Sequence, residues 1–304
     1  MFDSLDPRSH DSREREANDS RGESLDPRDV FTRDLDLPHG LERERVHVHG
    51  HDQDYQLRGS EVRALSTIGA FRVVPADDLR DDHGRPGDVR HGDLERLRSA
   101  GLIRTVAPLD RDGDRTVIVA LTERGRELLE SHRSRDTKAV QTFYSGAVKS
   151  REFSHDTQLF RAYFRAAEKL QASGARVERI VLDYELKREY QKFLQERNRD
   201  RAHSDGRPDR SREEIRQWAA EHDLPVLNDR VQFPDVRIEY EHPDGRRDVE
   251  NVEVTTVHYR GRHASGRAAA GFTRFRGTSP RVGGSKSDAG AAPFDPHEAE
   301  ELLR

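Results

Sequence analysis

The segment LERLRSAGLIRTVAPLDRDGDRTVIVALTERGRELL, residues Leu94–Leu129, carries the most specific structural pattern in this chain. Val89, Leu94 and Leu97 form an apolar stripe at helical spacing, and Gly101 is a residue type that often ends a helix. Two runs suited to strands follow, separated by the Asp-Gly of a tight turn, and a second helical pattern comes after them. The segment therefore predicts helix, strand, turn, strand and helix in that order.

The residues before this segment add two more helices. From Gly59 the sequence places Val62, Leu65 and Ile68 on one helical face. Pro75 then begins a short second helix, since proline is favoured in the first turn. Helix, short helix, helix, two-stranded wing and helix over residues 55–133 is the element order of a winged helix-turn-helix.

Residues 55–133 resemble winged-helix DNA-binding domains of the MarR-like kind. The shared features are the Ala-Gly-Leu-Ile that leaves the third helix and the Leu-Thr-x-x-Gly-x-x-Leu after the wing. The resemblance implies that the third helix binds the major groove of double-stranded DNA, which accommodates an α-helix. Arginine can contact phosphates or guanine edges, and the candidate contacts on the third helix and the wing are Arg90, Arg96, Arg98, Arg111 and Arg115. Acidic and basic residues balance in this domain, so docking to another protein is the alternative.

The second half contains QFPDVRIEYEHPDGRRDVENVEVTT, residues 232–256, which predicts a hairpin of two strands. Its turn is expected at His242–Gly245. Asp235 precedes the first strand and Glu253 lies in the second, so pairing of the strands would bring both carboxylates within reach of one metal ion. Such a pair suits Mg²⁺, which can activate water and stabilise a phosphoryl transition state. Mg²⁺ is therefore the candidate cofactor.

Residues 57–275 resemble the replication-relaxation proteins of plasmids and integrative elements. The matching residues are His155 with Asp156, Glu185, Pro234 with Asp235, and Glu253-Val254-Thr255. The resemblance implies that residues 151–280 form an α/β domain similar to the PD-(D/E)xK nucleases. It also implies catalytic roles for Asp235, Glu253 and Glu185, with Asp235 and Glu253 as metal ligands. The nuclease pattern requires lysine where this chain has Thr255, so we expect catalysis to be degenerate.

Lys187 is the candidate replacement for the missing lysine. Asp183, Glu185 and Lys187 form a D-x-E-x-K string. If the preceding strand extended through this string, Glu185 and Lys187 would share one face as an acid–lysine pair. A solvated helix start explains the same residues more simply, and the pair precedes Pro-Asp, which reverses the order in the family.

The remaining segments are expected to lie outside packed domains. Residues 1–54 are rich in charge and predict a disordered arm, residues 134–150 a linker and residues 281–304 a tail. In HVHGHD, alternate histidines at 47, 49 and 51 could share a metal loosely, but a solvated polar tract is the simpler interpretation. Residues 260–286 contain seven arginines and lysines and no acid, which suits either a phosphate-backbone contact or a solvated face.

Composition limits the compartment and the chemistry. The chain has no cysteine, so disulfides and thiolate metal sites are excluded. No apolar run is long enough to span a membrane, and the charged N-terminus is unlike a secretory signal. We therefore expect a cytoplasmic protein without a membrane partner.

The sequence as a whole predicts a DNA-binding protein of a mobile genetic element, acting in replication, mobilisation or their control. Its expected partner is double-stranded DNA, and a second copy of the chain is a further candidate. One alternative is an active Mg²⁺-dependent DNA nuclease. The other is a non-enzymatic winged-helix transcriptional regulator whose second half dimerises or senses a signal.

Overall fold

The computed structural model describes most of the chain between residues 26 and 282, as a mixed α and β fold. The described ranges are 26–40, 44–81, 83–111, 114–134, 140–146, 153–196, 210–255, 270–277 and 281–282, with only the backbone for 107–111, 114–116, 154 and 281–282. The α-helices in these ranges are α1 (Gly59–Ala70), α2 (Gly92–Ser99), α3 (Glu123–Ser131), α4 (Phe153–Ala172), α5 (Asp183–Gln195) and α6 (Arg212–Glu221). Two short 3₁₀ turns occupy Asp29–Phe31 and Ala76–Asp78.

The strands form two four-stranded sheets and two small hairpins. Their bounds are β1 (Val46–His49), β2 (Asp54–Leu57), β3 (Val73–Pro75), β4 (Ile103–Arg111), β5 (Asp114–Leu121), β6 (Arg176–Leu182), β7 (Val226–Leu227), β8 (Arg230–Val231), β9 (Val236–Glu241), β10 (Arg247–Thr255), β11 (Thr273–Arg276) and β12 (Arg281–Val282). The first sheet has the order β12-β4-β5-β3 and the second β11-β10-β9-β6. The small hairpins are β1–β2 and β7–β8.

The first sheet contains both strands of the segment Leu94–Leu129. The predicted helix, hairpin and helix are confirmed as α2, β4–β5 and α3. The predicted helix start at Pro75 is wrong: Pro75 has extended backbone angles and ends β3, and only a 3₁₀ turn follows. Arg281 and Val282 were expected in a tail, but they pair with β4 at the edge of this sheet.

Three small residues join the end of α2 to the start of α3. Gly101 has a φ of +72°, which allows the chain to leave α2 without a side-chain clash. The Thr122 hydroxyl donates to the Gly101 carbonyl at 2.7 Å and accepts from the Gly125 N–H at 3.1 Å, so it caps α3. A Cβ on Gly125 would lie 2.2 Å from the Leu102 carbonyl oxygen, so only glycine fits there.

The second sheet holds the predicted hairpin as β9 and β10, and its turn at His242–Gly245 is confirmed. Strands β6, β9 and β10 are antiparallel, whereas β11 runs parallel to β10. One face packs against α4, and the other packs against α5 and α6 around Trp218. The predicted capping box of Ser211 and Glu214 is confirmed at the start of α6.

Helix α4 packs against both large sheets. Its first residue, Phe153, contacts Val73 and Ile118 of the first sheet, while the rest of the helix packs on β6, β9 and β10. A single hydrophobic core consequently runs from α1 to the second sheet. Among the described residues, none of the helices combines the length and apolarity that crossing a membrane requires.

The prediction that residues 1–54 form a disordered arm is wrong for residues 26–40 and 44–54, and the remainder of that range lies outside the described residues. Phe31 packs edge-to-face on Phe71, with ring centroids 5.5 Å apart, and 5.3 Å from the ring of Tyr163. The Tyr163 hydroxyl donates to the Pro27 carbonyl. The sparse apolar residues of this segment are thus part of the core.

The segment predicted as a linker also packs in its described part, residues 140–146. Gln141 is buried, accepts the Ile180 N–H at 3.0 Å and donates to the Ile180 carbonyl at 3.2 Å. Its amide therefore acts as a short extra strand partner at the free edge of β6. Phe143 is buried in the core as well.

The packing of the N-terminal segment predicts a large effect of truncating Phe31. Phe31 is 2% exposed, so Phe31→Ala should lower the free energy of unfolding by about 3–5 kcal/mol, as for other buried phenylalanines. Val46→Ala, at a side chain 45% exposed, is the control and should change it by less than about 0.5 kcal/mol. Urea unfolding measures both, and equal stability of the two variants would contradict the packing.

Candidate functional site

The register of β9 and β10 places two acidic residues opposite each other. Val252 pairs with Val236, so the next position brings Glu253 opposite Asp235 at the end of the hairpin. Glu253 alternates along β10 with Val252 and Val254, which pack in the core with α4, whereas Asp235 precedes β9 and contacts α4 through His155. Asp235 is 5% exposed and Glu253 is 3% exposed. Two neighbouring buried carboxylates need compensation by cations or hydrogen-bond donors.

One carboxylate oxygen of Asp235, Oδ2, receives part of this compensation. The Val254 N–H donates to Asp235 Oδ2 at 2.8 Å, and the His155 Nε2 lies 3.3 Å from the same oxygen. The His155 Nδ1 lies 3.3 Å from Asp156 Oδ1. The imidazole thus bridges two carboxylates, one from its own helix and one from the sheet.

His155 is a cation in this setting. Burial lowers its pKa, but hydrogen bonds and charge from Asp156 and Asp235 outweigh burial and raise the pKa to about 10. The imidazolium consequently donates from both nitrogens and neutralises part of the charge at Asp235. A divalent cation bound to the same carboxylate would have to compete with it.

Arg72 contacts the residue next to His155, and Gln158 follows on the same helix. Arg72 comes from the first half of the chain, and its Nη1 lies 3.2 Å from Asp156 Oδ2. Its φ of +64° is rare for a non-glycine residue, and such backbone strain is often found at functional sites. Gln158 is fully buried one turn after His155, beside Gly277, and no residue in the described ranges forms a hydrogen bond with its amide atoms. A buried amide of this kind is well suited to bind a ligand or water.

The nuclease pattern requires a lysine two residues after Glu253, and this chain has Thr255 there. The Thr255 hydroxyl donates to the Phe275 carbonyl at 3.2 Å. In the parallel register with β11, Glu253 lies beside Arg274 and Thr255 beside Arg276, both exposed. These arginines are the basic residues that the register places nearest to Glu253 along β11.

Glu185 and Lys187 belong to a helix whose first residue, Asp183, donates its N–H to the Asp235 carbonyl at 3.3 Å. Both lie in α5, which begins at Asp183, so the alternative of an acid–lysine pair on a strand is wrong. Lys187 Nζ lies 2.6 Å from Asp183 Oδ2 one helical turn away. Glu185 accepts the Tyr144 hydroxyl at 3.1 Å, and burial together with this carboxylate raises the pKa of Tyr144.

The predicted DNA contacts are placed as follows. Arg96 and Arg98 are exposed on α2, whereas Arg90 lies in the turn before it, because α2 begins only at Gly92. The prediction that Arg90 lies on the third helix is therefore wrong, although Arg90 is exposed directly before the helix. The backbones of Arg111 and Arg115 lie at the end of the β4–β5 hairpin, and their side chains lie outside the described residues.

Sequence reasoning missed Arg72 and Tyr144 as partners of Asp156 and Glu185, and it missed the buried amide of Gln158. Gln158 had a signal, because it lies four residues before buried Ala162 and so on the apolar stripe of α4. Nothing local in the sequence marks Arg72 or Tyr144, whose partners are far away along the chain.

The cationic His155 predicts a pH dependence of stability. Its pKa rises from about 6.5 in the unfolded chain to about 10 in the fold, so its stabilisation is complete below pH 6.5. It decreases as pH rises from there and is lost above about pH 10. His155→Gln should remove this component, whereas His51→Gln, at an exposed histidine, should retain it. Urea unfolding at pH 6 and pH 9.5, with a chelator present, measures the difference, and parallel pH profiles of all three proteins would contradict it.

The chain was also compared with known proteins. No family model, no curated protein and no solved structure matches it. Its function is therefore inferred from its own residues and their arrangement.

Proposed function

We propose that this protein binds double-stranded DNA through α2 and the β4–β5 hairpin. The observation that carries the proposal is the exposed arginine surface around α2, which we define as Arg90, Arg96 and Arg98. Within the described residues, no acidic side chain forms an ion pair with these three guanidinium groups. They are available for phosphates or base edges.

The order of elements supports the same interface. Helix α1, strand β3, a 3₁₀ turn, α2, the β4–β5 hairpin and α3 follow one another as in a winged helix. Leu94 and Leu97 of α2 are buried, so the opposite face of the helix is presented to solvent. A helix with one exposed face, followed by a two-stranded hairpin, suits a major groove and its flanking backbone.

Two acidic residues close to α2 are paired with arginines. Asp93 is buried and accepts Arg58 Nε at 3.0 Å. Glu61, in the first turn of α1, accepts two hydrogen bonds from Arg45 at 2.7 and 2.9 Å. Glu95 is the partly exposed acid on α2, and it accepts the Ser99 hydroxyl at 2.7 Å. Asp88 is also exposed and accepts the Arg90 N–H at 2.8 Å, so the three arginines outnumber the two acids, Asp88 and Glu95, beside them.

The second sheet is proposed to be a nuclease-like scaffold with degenerate catalysis. Asp235, directly before β9, and Glu253, in the adjacent antiparallel strand β10, support the nuclease-like part of this proposal. Two features support the loss of catalysis: Thr255 supplies no cation, and the His155 imidazolium occupies an oxygen of Asp235. The resemblance over residues 57–275 supports a role in replication or mobilisation of a mobile element, or in its control.

Removing two arginines of the arginine surface should weaken DNA binding. Arg96→Ala with Arg98→Ala should lower affinity on the order of tenfold or more and reduce the slope of log K against log salt by about 2. Arg188→Ala with Arg230→Ala is the matched control, since both residues are exposed and the charge change is equal. Fluorescence anisotropy with a labelled duplex at several salt concentrations measures this. Equal losses in the two double variants, or no binding of the wild type at low salt, would remove the proposal.

The degenerate site predicts that DNA is bound but not cut. Wild-type protein incubated with supercoiled plasmid and Mg²⁺ or Mn²⁺ should nick it no faster than Asp235→Asn, which removes one charge but keeps the shape of the side chain. Agarose gels of nicked and linear products measure this. Cleavage by the wild type that Asp235→Asn abolishes would instead establish the Mg²⁺-dependent nuclease alternative.

A further inference from the structure

The β1–β2 hairpin presents three metal-binding side chains on one face. His47 and His49 alternate along β1 and so point the same way, and Asp54 pairs with His49 across the hairpin. Asp54 Oδ1 lies 3.0 Å from His49 Nδ1, and Asp54 Oδ2 lies 3.4 Å from His47 Nε2. One donor atom from each residue lies within 4.8 Å of the other two.

The separations suit a tetrahedral zinc ion. Zinc bonds of about 2.0–2.1 Å to nitrogen and oxygen imply ligand–ligand distances of about 3.3 Å at the tetrahedral angle. The separation of 3.0 Å between His49 Nδ1 and Asp54 Oδ1 is close to this value, and the His47 nitrogen lies within 4.8 Å of both other donor atoms. The donor set of two imidazoles and one carboxylate favours Zn²⁺ over Mg²⁺ or Ca²⁺, which prefer oxygen ligands.

The hairpin that carries these residues is held firmly. On the opposite face Val48 and Tyr55 are buried in the core. The Gly50 N–H donates to the Gln53 carbonyl at 3.1 Å, and a Cβ on Gly50 would lie 2.5 Å from that carbonyl oxygen. A tight turn on a buried face fixes the backbone positions of the three side chains before any ion binds.

We propose that His47, His49 and Asp54 bind one Zn²⁺ ion, with solvent in the fourth position. The three side chains are 49%, 81% and 51% exposed, so an ion can reach them directly from water. Two imidazole nitrogens and one carboxylate oxygen leave a tetrahedral ion one open position. The proposal is independent of DNA binding and of the acidic residues of the second sheet.

The site lies beside α2. Gln56 pairs with His47 across the hairpin. It lines a cleft of about 350 Å³ together with Arg96 and Ser99. A bound zinc ion would add positive charge close to this cleft. Its binding can nevertheless be measured without DNA.

The test is calorimetric titration of ZnCl₂ into the full-length chain, free of any histidine tag and treated with a chelator. The wild type should bind one zinc per chain at this site. His49→Ala and Asp54→Asn should each weaken that binding on the order of tenfold or more, and His47→Ala with His49→Ala should abolish it. Two control variants should bind as the wild type does: His51→Ala with Asp52→Asn in the neighbouring turn, and Asp235→Asn in the second sheet.

Thermal unfolding provides a second readout that also checks folding. Zinc bound to the folded chain should raise Tm in the wild type and in both controls, but not in His47→Ala with His49→Ala. The exposed positions of these side chains predict an unchanged Tm without zinc. The proposal fails if the wild type binds no zinc, if the His47 and His49 double variant retains the same affinity, or if the His51 and Asp52 control loses as much as His49→Ala.

Discussion

The packing of α4 against both large sheets is the constraint on which the rest of the structure depends. Tyr163 on this helix is completely buried against Phe31 and Phe71 of the first half, while the same helix covers Val252 and Val254 of the second sheet. The first turn of the helix carries His155 and Asp156 to the end of the β9–β10 hairpin. Because Arg72 reaches Asp156 from the other half, the surroundings of Asp235 form only when the two halves are packed together.

The same packing buries charged side chains, which costs desolvation free energy. Two carboxylates, at Asp235 and Glu253, are nearly excluded from water, so the fold must supply donors and cations for them. The Val254 N–H supplies a hydrogen-bond donor and the His155 imidazolium supplies a cation, both at Asp235 Oδ2. A buried ion pair contributes little net stability over an apolar core, since desolvation offsets much of the attraction. It does, however, fix geometry, and in the proposed degenerate site it holds the acid in place without a metal ion.

The sequence predicted those parts of the fold that local patterns determine. Gly101, Thr122 and Gly125 each have a backbone reason to occur where they do, so the segment around α2 and α3 could be recognised from residue types alone. Alternation and the polar turn residues likewise predicted the β9–β10 hairpin and its turn at His242–Gly245. Arg72 and Gln158 depend on contacts between distant segments. The region around Phe31 was misjudged because its few apolar residues lie among many charges and follow no regular period.

The arginines of this chain divide into two groups by what surrounds them. Arg63 is buried and pairs with Asp29 at 2.5 Å, and buried Arg237 donates to the carbonyls of His222 and Asp223. These side chains hold segments together through hydrogen bonds in a chain with few apolar residues. Arginine content by itself is therefore weak support for nucleic-acid binding. Arg96 and Arg98 differ because their helix buries its leucines and exposes these two side chains to solvent. In the described part of the chain, no acidic side chain forms an ion pair with them. This placement favours a polyanion as the ligand.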